Sequence, residues 1–135
     1  MTEHEELIRL GYEAWNRGDW DSMERLLAPD FEVDATDRVL NPDKYEGIDG
    51  FRRLAGEMAE VWDTWEIEPL ELVERGNLMF VAHRVRARGK GSGVEVVQTY
   101  WSVWAVRDNK GVKLSLFVDR DRALAAAGLT DADIT

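Results

Sequence analysis

Several residue types are missing or scarce in this chain of 135 residues. It has no cysteine, which excludes disulfide bonds, a thiolate metal site and a cysteine nucleophile, and which suits a reducing cytoplasm. No stretch approaches the ~20 apolar residues of a membrane span, and the acidic start MTEHEELIRL lacks the features of a signal peptide. Its two histidines, His4 and His83, are far apart, and no metal-ligand spacing is present. We therefore expect a single cytoplasmic domain over residues 1–135, with no metal and no cofactor.

Positive charge is also in short supply. The chain carries 27 acidic against 17 basic residues, for a formal net charge of −10. That field repels nucleic acid and anionic membranes, and it keeps a small domain soluble. Tryptophan, in contrast, is abundant, with 6 residues. Because tryptophan is bulky and has a polar N–H, its clusters line cores, pockets and interfaces.

The order of the predicted elements indicates an α+β domain, because helices come first and long strands follow. Strands of this length usually bend, and a bent sheet has a concave face. The pattern predicts four helices, at residues 3–16, from Asp19 to the residue before Pro29, at residues 48–63 and at residues 121–127. It predicts strands at residues 31–35, 66–75, 78–88, 94–107 and 112–119, and a loop at residues 36–46.

Four local patterns, in this order and spacing, resemble the SnoaL-like branch of the nuclear transport factor 2-like superfamily. That superfamily includes ketosteroid isomerases, polyketide cyclases and limonene epoxide hydrolases. The patterns are WNRGDW at 15–20, YEGIDG at 45–50, the hairpin at 103–111 and the closing segment FVDRDRAL to GL at 117–129.

The resemblance implies a cone-shaped α+β fold. Three N-terminal helices would pack on a curved mixed or antiparallel β-sheet and enclose a mostly apolar pocket. The family often dimerises through the outer sheet face, so a homodimer is expected. Function does not follow from the fold, since the family contains both enzymes and non-enzymes.

His83 is the first candidate for chemistry. Alternation along strand 78–88 separates it, with apolar residues, from Arg84, Arg86 and Arg88, which face solvent or a partner. A near-neutral pKa suits proton transfer. The alternative is a core histidine satisfied by one neighbour.

Asp119 is the second candidate. Hydrophobicity does not decide which face of the last strand is concave, but the resemblance favours Phe117 and Asp119 pointing inward. SnoaL-type cyclases carry a catalytic aspartate near the end of this strand, ahead of a helix that ends in Leu-Gly; here the leucine follows Gly128. If both residues point inward, Asp119 and His83 form an acid/base couple. Alternatively, Asp119 caps the last helix.

Two departures argue against steroid isomerase chemistry. Ketosteroid isomerases use a tyrosine on the first helix, and that position is Gly11 here, with Tyr12 one step round the helix. Their base is an aspartate at the end of the first strand, where this chain has Ala35, with Asp34 beside it on the opposite face.

Aromatic residues supply the predicted pocket wall. The candidates for substrate contact are Tyr12, Trp15, Trp62, Trp101 and Phe117. On strand 94–107, Tyr100 and Trp104 share one face and Trp101 takes the other. One set should line the cavity, and a tryptophan on the other face would anchor a dimer.

Three functions are compatible with these residues. The favoured one, by a small margin, is a cofactor-independent isomerase, cyclase or hydratase that uses acid/base proton transfer on an apolar carbonyl compound. The second is a non-catalytic binding protein for a small apolar metabolite, and the third is a dimeric protein-interaction module with a vestigial pocket. An acid/base pair that points into the pocket would favour the enzyme, and a sealed apolar cavity would favour the binding protein. A filled cavity with an exposed aromatic sheet face would favour the interaction module.

Overall fold

A computed structural model describes residues 2–38 and 42–133. Its elements follow the order of helices first and long strands afterwards. They are α1 (Glu3–Arg17), α2 (Trp20–Arg25), β1 (Leu27–Asp34), β2 (Lys44–Glu46), α3 (Gly47–Val61), β3 (Trp62–Arg75), β4 (Leu78–Gly89), β5 (Glu95–Arg107), β6 (Lys110–Phe117), α4 (Arg120–Ala127) and a 3₁₀ turn (Asp131–Asp133).

The helix ends follow ordinary capping chemistry. The Thr2 side chain accepts a hydrogen bond from the Glu5 N–H at the start of α1, and acidic residues fill the first turn, where they complement the helix dipole. Gly18 ends α1 in the left-handed conformation, with φ of 67°. Asp19 then caps α2 by accepting from the Ser22 N–H.

All six strands form one sheet in the order β2-β1-β6-β5-β4-β3. Neighbouring strands run antiparallel, except that β1 and β6 run parallel. The sheet is therefore mixed, and the two long helices α1 and α3 and the short helices α2 and α4 lie against it, which confirms the predicted α+β fold.

Four boundaries differ from the prediction because tertiary contacts override the local pattern. Leu27 pairs with Gly111 and so belongs to β1 rather than to the second helix. The segment 36–46, predicted as a loop, contains β2, which pairs with β1; residues 39–41 lie outside the described part of the chain. The third helix ends at Val61, and Trp62 begins β3. The last strand ends at Phe117, because the next N–H is bonded to a loop carboxylate instead of a strand.

The sheet carries a core on each face. The first face packs against α1 and α3 and holds the larger cluster, which includes Tyr12, Trp15, Phe51, Val81 and Trp104. The second face is covered by α4 and holds a smaller cluster of Phe80, Ala82, Val103, Ala123, Leu124, Ala127 and Leu129. Among the helices within 2–38 and 42–133, none is both long and apolar enough to cross a membrane.

Candidate functional site

His83 lies on the first face of the sheet, buried with only 4% of its surface exposed. Its ring stands between two phenol rings, with centroids 5.8 Å from Tyr12 and 6.3 Å from Tyr100. Within the described ranges, neither ring nitrogen has a hydrogen-bond partner. Burial lowers the pKa of His83 to about 4, so the imidazole is neutral at neutral pH. It therefore offers one donor and one acceptor, and neither is used by the fold.

Tyr12 reaches this position from α1 and is held by two residues of β5. The Trp104 indole N–H donates to the Tyr12 hydroxyl at 3.2 Å. The Ser102 hydroxyl lies 3.2 Å from the same oxygen, and either group can donate in that pair. Burial raises the pKa of Tyr12, so the phenol stays protonated. Its single proton therefore goes to Ser102, or is left for another acceptor when Ser102 donates.

Tyrosine, histidine and serine meet here because of strand register. His83 of β4 is opposite Tyr100 of β5, and Val81 is opposite Ser102. Alternation then places Tyr100, Ser102 and Trp104 on the face that Tyr12 contacts. The prediction left open which side of β5 lines the candidate site. These contacts show that the side with Tyr100 and Trp104 faces α1.

Trp15 belongs to an aromatic cluster between α1, α2 and α3. Its ring centroid lies 4.9 Å from that of Trp20 and 6.1 Å from that of Phe51. The Trp65 indole N–H donates to the Trp15 carbonyl at 2.9 Å, which ties α1 to β3. Trp62 lies further out on β3, partly exposed, and pairs with Gly89. Trp15 thus forms part of the core beside the His83 region.

The expected inward orientation of Asp119 is corrected by the structure. Its carboxylate accepts from the Arg122 N–H at 3.0 Å and caps α4. The Arg122 guanidinium lies 3.7 Å from the same carboxylate, whose side chain is 44% exposed. Asp119 is therefore directed at the first turn of α4, and the expected couple with His83 is not assembled. The physical reason is that the strand ends at Phe117, two residues earlier than predicted.

Phe117 and Trp101 also differ from the expected placement. They are opposite each other in the β5–β6 pairing, and both pack in the second-face cluster under α4. The inward residues of β6 are Leu114 and Leu116, which pack on the first-face core. The structure thus brings together Tyr12 and His83 of the predicted site, and it places Trp101 and Phe117 on the opposite face of the sheet.

A small apolar void of about 10 Å³ lies on the first face between α1, Met23 and Trp104. This is about the space of one water-sized sphere, so the void cannot hold a metabolite. On the Tyr100 side of His83, β5 continues beyond the end of β6, whose last residue pairs with Trp101.

Comparison with known proteins agrees with this architecture. The SnoaL-like domain model matches residues 8–114, which is well over half of the chain. The chain belongs to the SnoaL-like domain family. No curated protein sequence matches it.

Solved structures show the same fold for this SnoaL-like protein. A nuclear transport factor 2-like protein of unknown function from Burkholderia pseudomallei K96243 has a TM-score of 0.77 at 19% identity, over 94% of this chain and 98% of its own. TerC, co-crystallised with polyporic acid, has a TM-score of 0.77 at 17% identity, over 93% and 98%. A SnoaL-like, polyketide cyclase-type protein from Jannaschia sp. CCS1 has a TM-score of 0.76 at 15% identity, over 96% and 94%.

In this SnoaL-like protein's candidate site, Ser102 was not predicted from the sequence, and Tyr100 was predicted only as part of one of two alternative sets that could line the cavity. Ser102 is fully buried next to Tyr12, and the Tyr100 ring lies 6.3 Å from the His83 ring at a tilt of 34°. The signal for Ser102 was a small hydroxyl residue within the apolar run VVQTYWSVWAV, where an unpaired hydroxyl would be costly.

Proposed function

We propose that this SnoaL-like protein is a cofactor-independent enzyme that moves a proton on a carbon next to a carbonyl group, with His83 as the acid/base residue. The main support for this proposal is the buried imidazole, whose two nitrogens have no hydrogen-bond partner among the described residues. Leaving a buried polar group unsatisfied costs about 1–3 kcal/mol, which a fold rarely retains without use. A substrate that hydrogen-bonds to the imidazole would offset that cost.

The neighbouring groups suit the two halves of such a proton transfer. The unprotonated nitrogen of neutral His83 would take the proton from the α-carbon, and the C–H electron pair would become the C=C bond of an enolate. The carbonyl oxygen would take the negative charge and accept a hydrogen bond from the Tyr12 phenol. Trp104, which donates to the Tyr12 oxygen, would strengthen that phenol as a donor. Return of the proton from the imidazolium to another carbon completes an isomerisation.

The surroundings of His83 favour an apolar substrate. Tyr100 is partly buried beside His83, and Ile67, which is opposite Val85 of β4, packs against the first-face core. A flat carbonyl compound would contact such aromatic and aliphatic walls and would reach His83 past Tyr100. TerC, which shares the fold, was co-crystallised with polyporic acid, and this supports a small organic ligand.

Non-catalytic binding of a small apolar metabolite is the second candidate. Its support is the depressed pKa of His83, because a weakly basic imidazole in an apolar site serves well as a plain hydrogen-bond partner. The two candidates differ in one observable, which is whether bound compound exchanges carbon-bound protons with water.

Deuterium exchange tests the proposal directly. Polyporic acid and 2-tetralone, an enolisable ketone, are first screened by thermal shift, since a ligand raises the melting temperature. 2-Tetralone is then incubated with protein in D2O, and loss of its α-proton signal is followed by NMR. We expect the wild type to accelerate exchange, and His83→Gln to lose about 100-fold or more of that rate, as is usual for a removed general base.

Two results would decide against this function. Binding without accelerated exchange would favour the non-catalytic carrier. Acceleration that survives in His83→Gln would remove His83 from the reaction. Tyr12→Phe is the companion variant, which keeps the ring on α1 and removes only the hydroxyl; a slower exchange with unchanged binding is expected.

A further inference from the structure

Three buried side chains form one short hydrogen-bond chain beside His83. The Trp104 indole N–H donates to the Tyr12 oxygen at 3.2 Å, and the Ser102 hydroxyl lies 3.2 Å from the same oxygen. The three groups carry three polar hydrogens between them, yet they make only these two hydrogen bonds with the residues in 2–38 and 42–133. One hydroxyl hydrogen is therefore left without an acceptor in the fold, whichever way the Ser102 hydroxyl turns.

Ser102 occupies a position that packing alone would give to an apolar residue. None of its surface is exposed, and its neighbours across the sheet are Val81 of β4 and Leu116 of β6. A hydroxyl in such surroundings costs free energy unless it is hydrogen-bonded, whereas alanine would fill nearly the same space without that cost. The hydroxyl is therefore better explained by its contact with Tyr12 than by the packing of β5.

The hydroxyl of Ser102 has two useful orientations. When Tyr12 donates to Ser102, the phenol hydrogen is occupied and cannot bind a ligand. When Ser102 donates instead, the Tyr12 oxygen accepts from both Trp104 and Ser102, and its own hydrogen is released. Hydrogen bonds received by a hydroxyl oxygen make its O–H a stronger donor. Burial raises the pKa of Tyr12, and the bonds with Ser102 and Trp104 oppose that rise.

The released hydrogen is not consumed by His83. The Tyr12 and His83 rings are tilted by 47° with centroids 5.8 Å apart, and neither imidazole nitrogen is bonded to a described residue. A ligand oxygen that reaches Tyr12 would therefore receive a hydrogen bond that the fold does not already use. This places a donor for a carbonyl oxygen next to the imidazole.

We propose that Ser102 is a positioning residue for the proton transfer at His83. Its hydroxyl accepts from Tyr12 in the ligand-free protein and turns to donate to Tyr12 when a carbonyl compound binds, so that Tyr12 donates to the carbonyl oxygen. This role rests on the proposed function, because it acts through that carbonyl. The turn is a rotation about one C–O bond, so β5 does not move. As negative charge develops on the carbonyl oxygen, Ser102 and Trp104 both support the Tyr12 donor.

The hydrogen-bond chain can be tested without a ligand. The indole N–H signal of Trp104 in a ¹H–¹⁵N NMR spectrum, assigned with Trp104→Phe, reports how well the Tyr12 oxygen accepts. Because a donating hydroxyl is a better acceptor, Ser102→Ala should move this signal upfield. Ser115→Ala is the matched control, since Ser115 lies opposite Val103 on the other face of the sheet. A Trp104 signal that stays at its wild-type position in Ser102→Ala would overturn the proposal.

The rate of 2-tetralone exchange tests the role in the reaction. Initial rates at several ketone concentrations give kcat and KM for each variant, and the melting temperature shows that each is folded. We expect Ser102→Ala to lower kcat by about tenfold with KM unchanged, because the Tyr12 hydrogen still reaches the carbonyl but has lost one supporting bond. Ser102→Thr keeps a hydroxyl and should restore most of kcat. Ser115→Ala should leave both constants unchanged.

The outcomes separate this role from the proposed function. Absence of exchange by the wild type would overturn the proposed function, and the role of Ser102 with it. Exchange by the wild type with an equal kcat in Ser102→Ala would overturn the role of Ser102 alone. A raised KM at unchanged kcat would do the same, since loss of packing lowers binding without acting on the transition state.

Discussion

The side-chain amide of Asn16 pairs with the backbone of Ile67 through two hydrogen bonds. Its Nδ2 donates to the Ile67 carbonyl at 2.9 Å, and its Oδ1 accepts from the Ile67 N–H at 2.8 Å. Ile67 lies in the edge strand β3, so these backbone groups have no further strand to bond. The last turn of α1 is thereby fastened to the sheet beside the aromatic cluster of Trp15.

Replacing Asn16 should therefore loosen the contact between α1 and β3. Asn16→Ala removes both hydrogen bonds and leaves a partly buried N–H and C=O unpaired. We expect the free energy of unfolding to fall by about 1–3 kcal/mol, measured by urea denaturation. Arg17→Ala is the neighbouring control, since the Arg17–Asp19 pair is exposed and 3.7 Å long, and such pairs contribute little. Equal stability of the two variants would contradict the role of the amide.

Two glycines of α3 should respond in opposite directions to alanine. At Gly50 an added Cβ would lie 2.7 Å from the Tyr45 carbonyl carbon, which is backbone and cannot move aside. Gly50→Ala should lower the free energy of unfolding by about 1–3 kcal/mol. At Gly56 no atom lies within 4 Å of that position, so Gly56→Ala should raise it by about 0.5–1 kcal/mol through helix propensity. Calorimetric melting of both variants tests the pair, and destabilisation of both would show that α3 is packed differently.

Stability should depend on pH through His83. Its folded pKa of about 4 lies below the ordinary value of 6.5, so the unfolded chain binds a proton more readily than the folded one. The resulting stability is present above pH 6.5 and is lost as pH falls from there toward 4, by up to about 3 kcal/mol. Urea titrations between pH 7 and 4.5 measure this loss, and His83→Gln should flatten that part of the profile.

The carboxylates contribute stability to the fold that is lost at a lower pH than the contribution of His83. Asp19 and Asp30, for example, have pKa values lowered by hydrogen bonds from Ser22 and Arg107, so their contribution disappears only as pH falls through those lowered values. A wild-type profile that is flat from pH 7 to 4.5 would mean that His83 is not held neutral by burial.

Asp119 is predicted to act through helix capping. Asp119→Ala should cost about 0.5–2 kcal/mol of unfolding free energy, whereas Asp119→Asn should keep most of the cap, because asparagine is an equally good N-cap residue. Deuterium exchange of 2-tetralone should then be unaffected by Asp119→Asn. Loss of exchange in that variant, with stability retained, would restore the acid/base couple that the sequence suggested.

Local patterns in the sequence were sufficient for much of this molecule. Helical spacing and caps placed α1 and α4 within a residue or two, because the left-handed caps at Gly18 and Gly128 are a local property of the chain. Alternation placed His83 on the apolar side of β4, where it is buried with Met79 and Val81. The order of these elements, with the four motifs, was enough to predict the SnoaL-like fold.

Only the tertiary structure decided which residues meet. Alternation assigns the residues of β6 to two faces but does not say which face packs against α1 and α3. The packing of α4 on Phe117 and Trp101 shows that these two residues lie on the other face. Strand β2 has three residues and exists because β1 offers it a partner, so no local pattern marks it. The contact of Tyr12 with Ser102 joins residues 90 positions apart. Burial, register and the end of β6 at Phe117 are properties of the assembled sheet, and they separate Asp119 from His83.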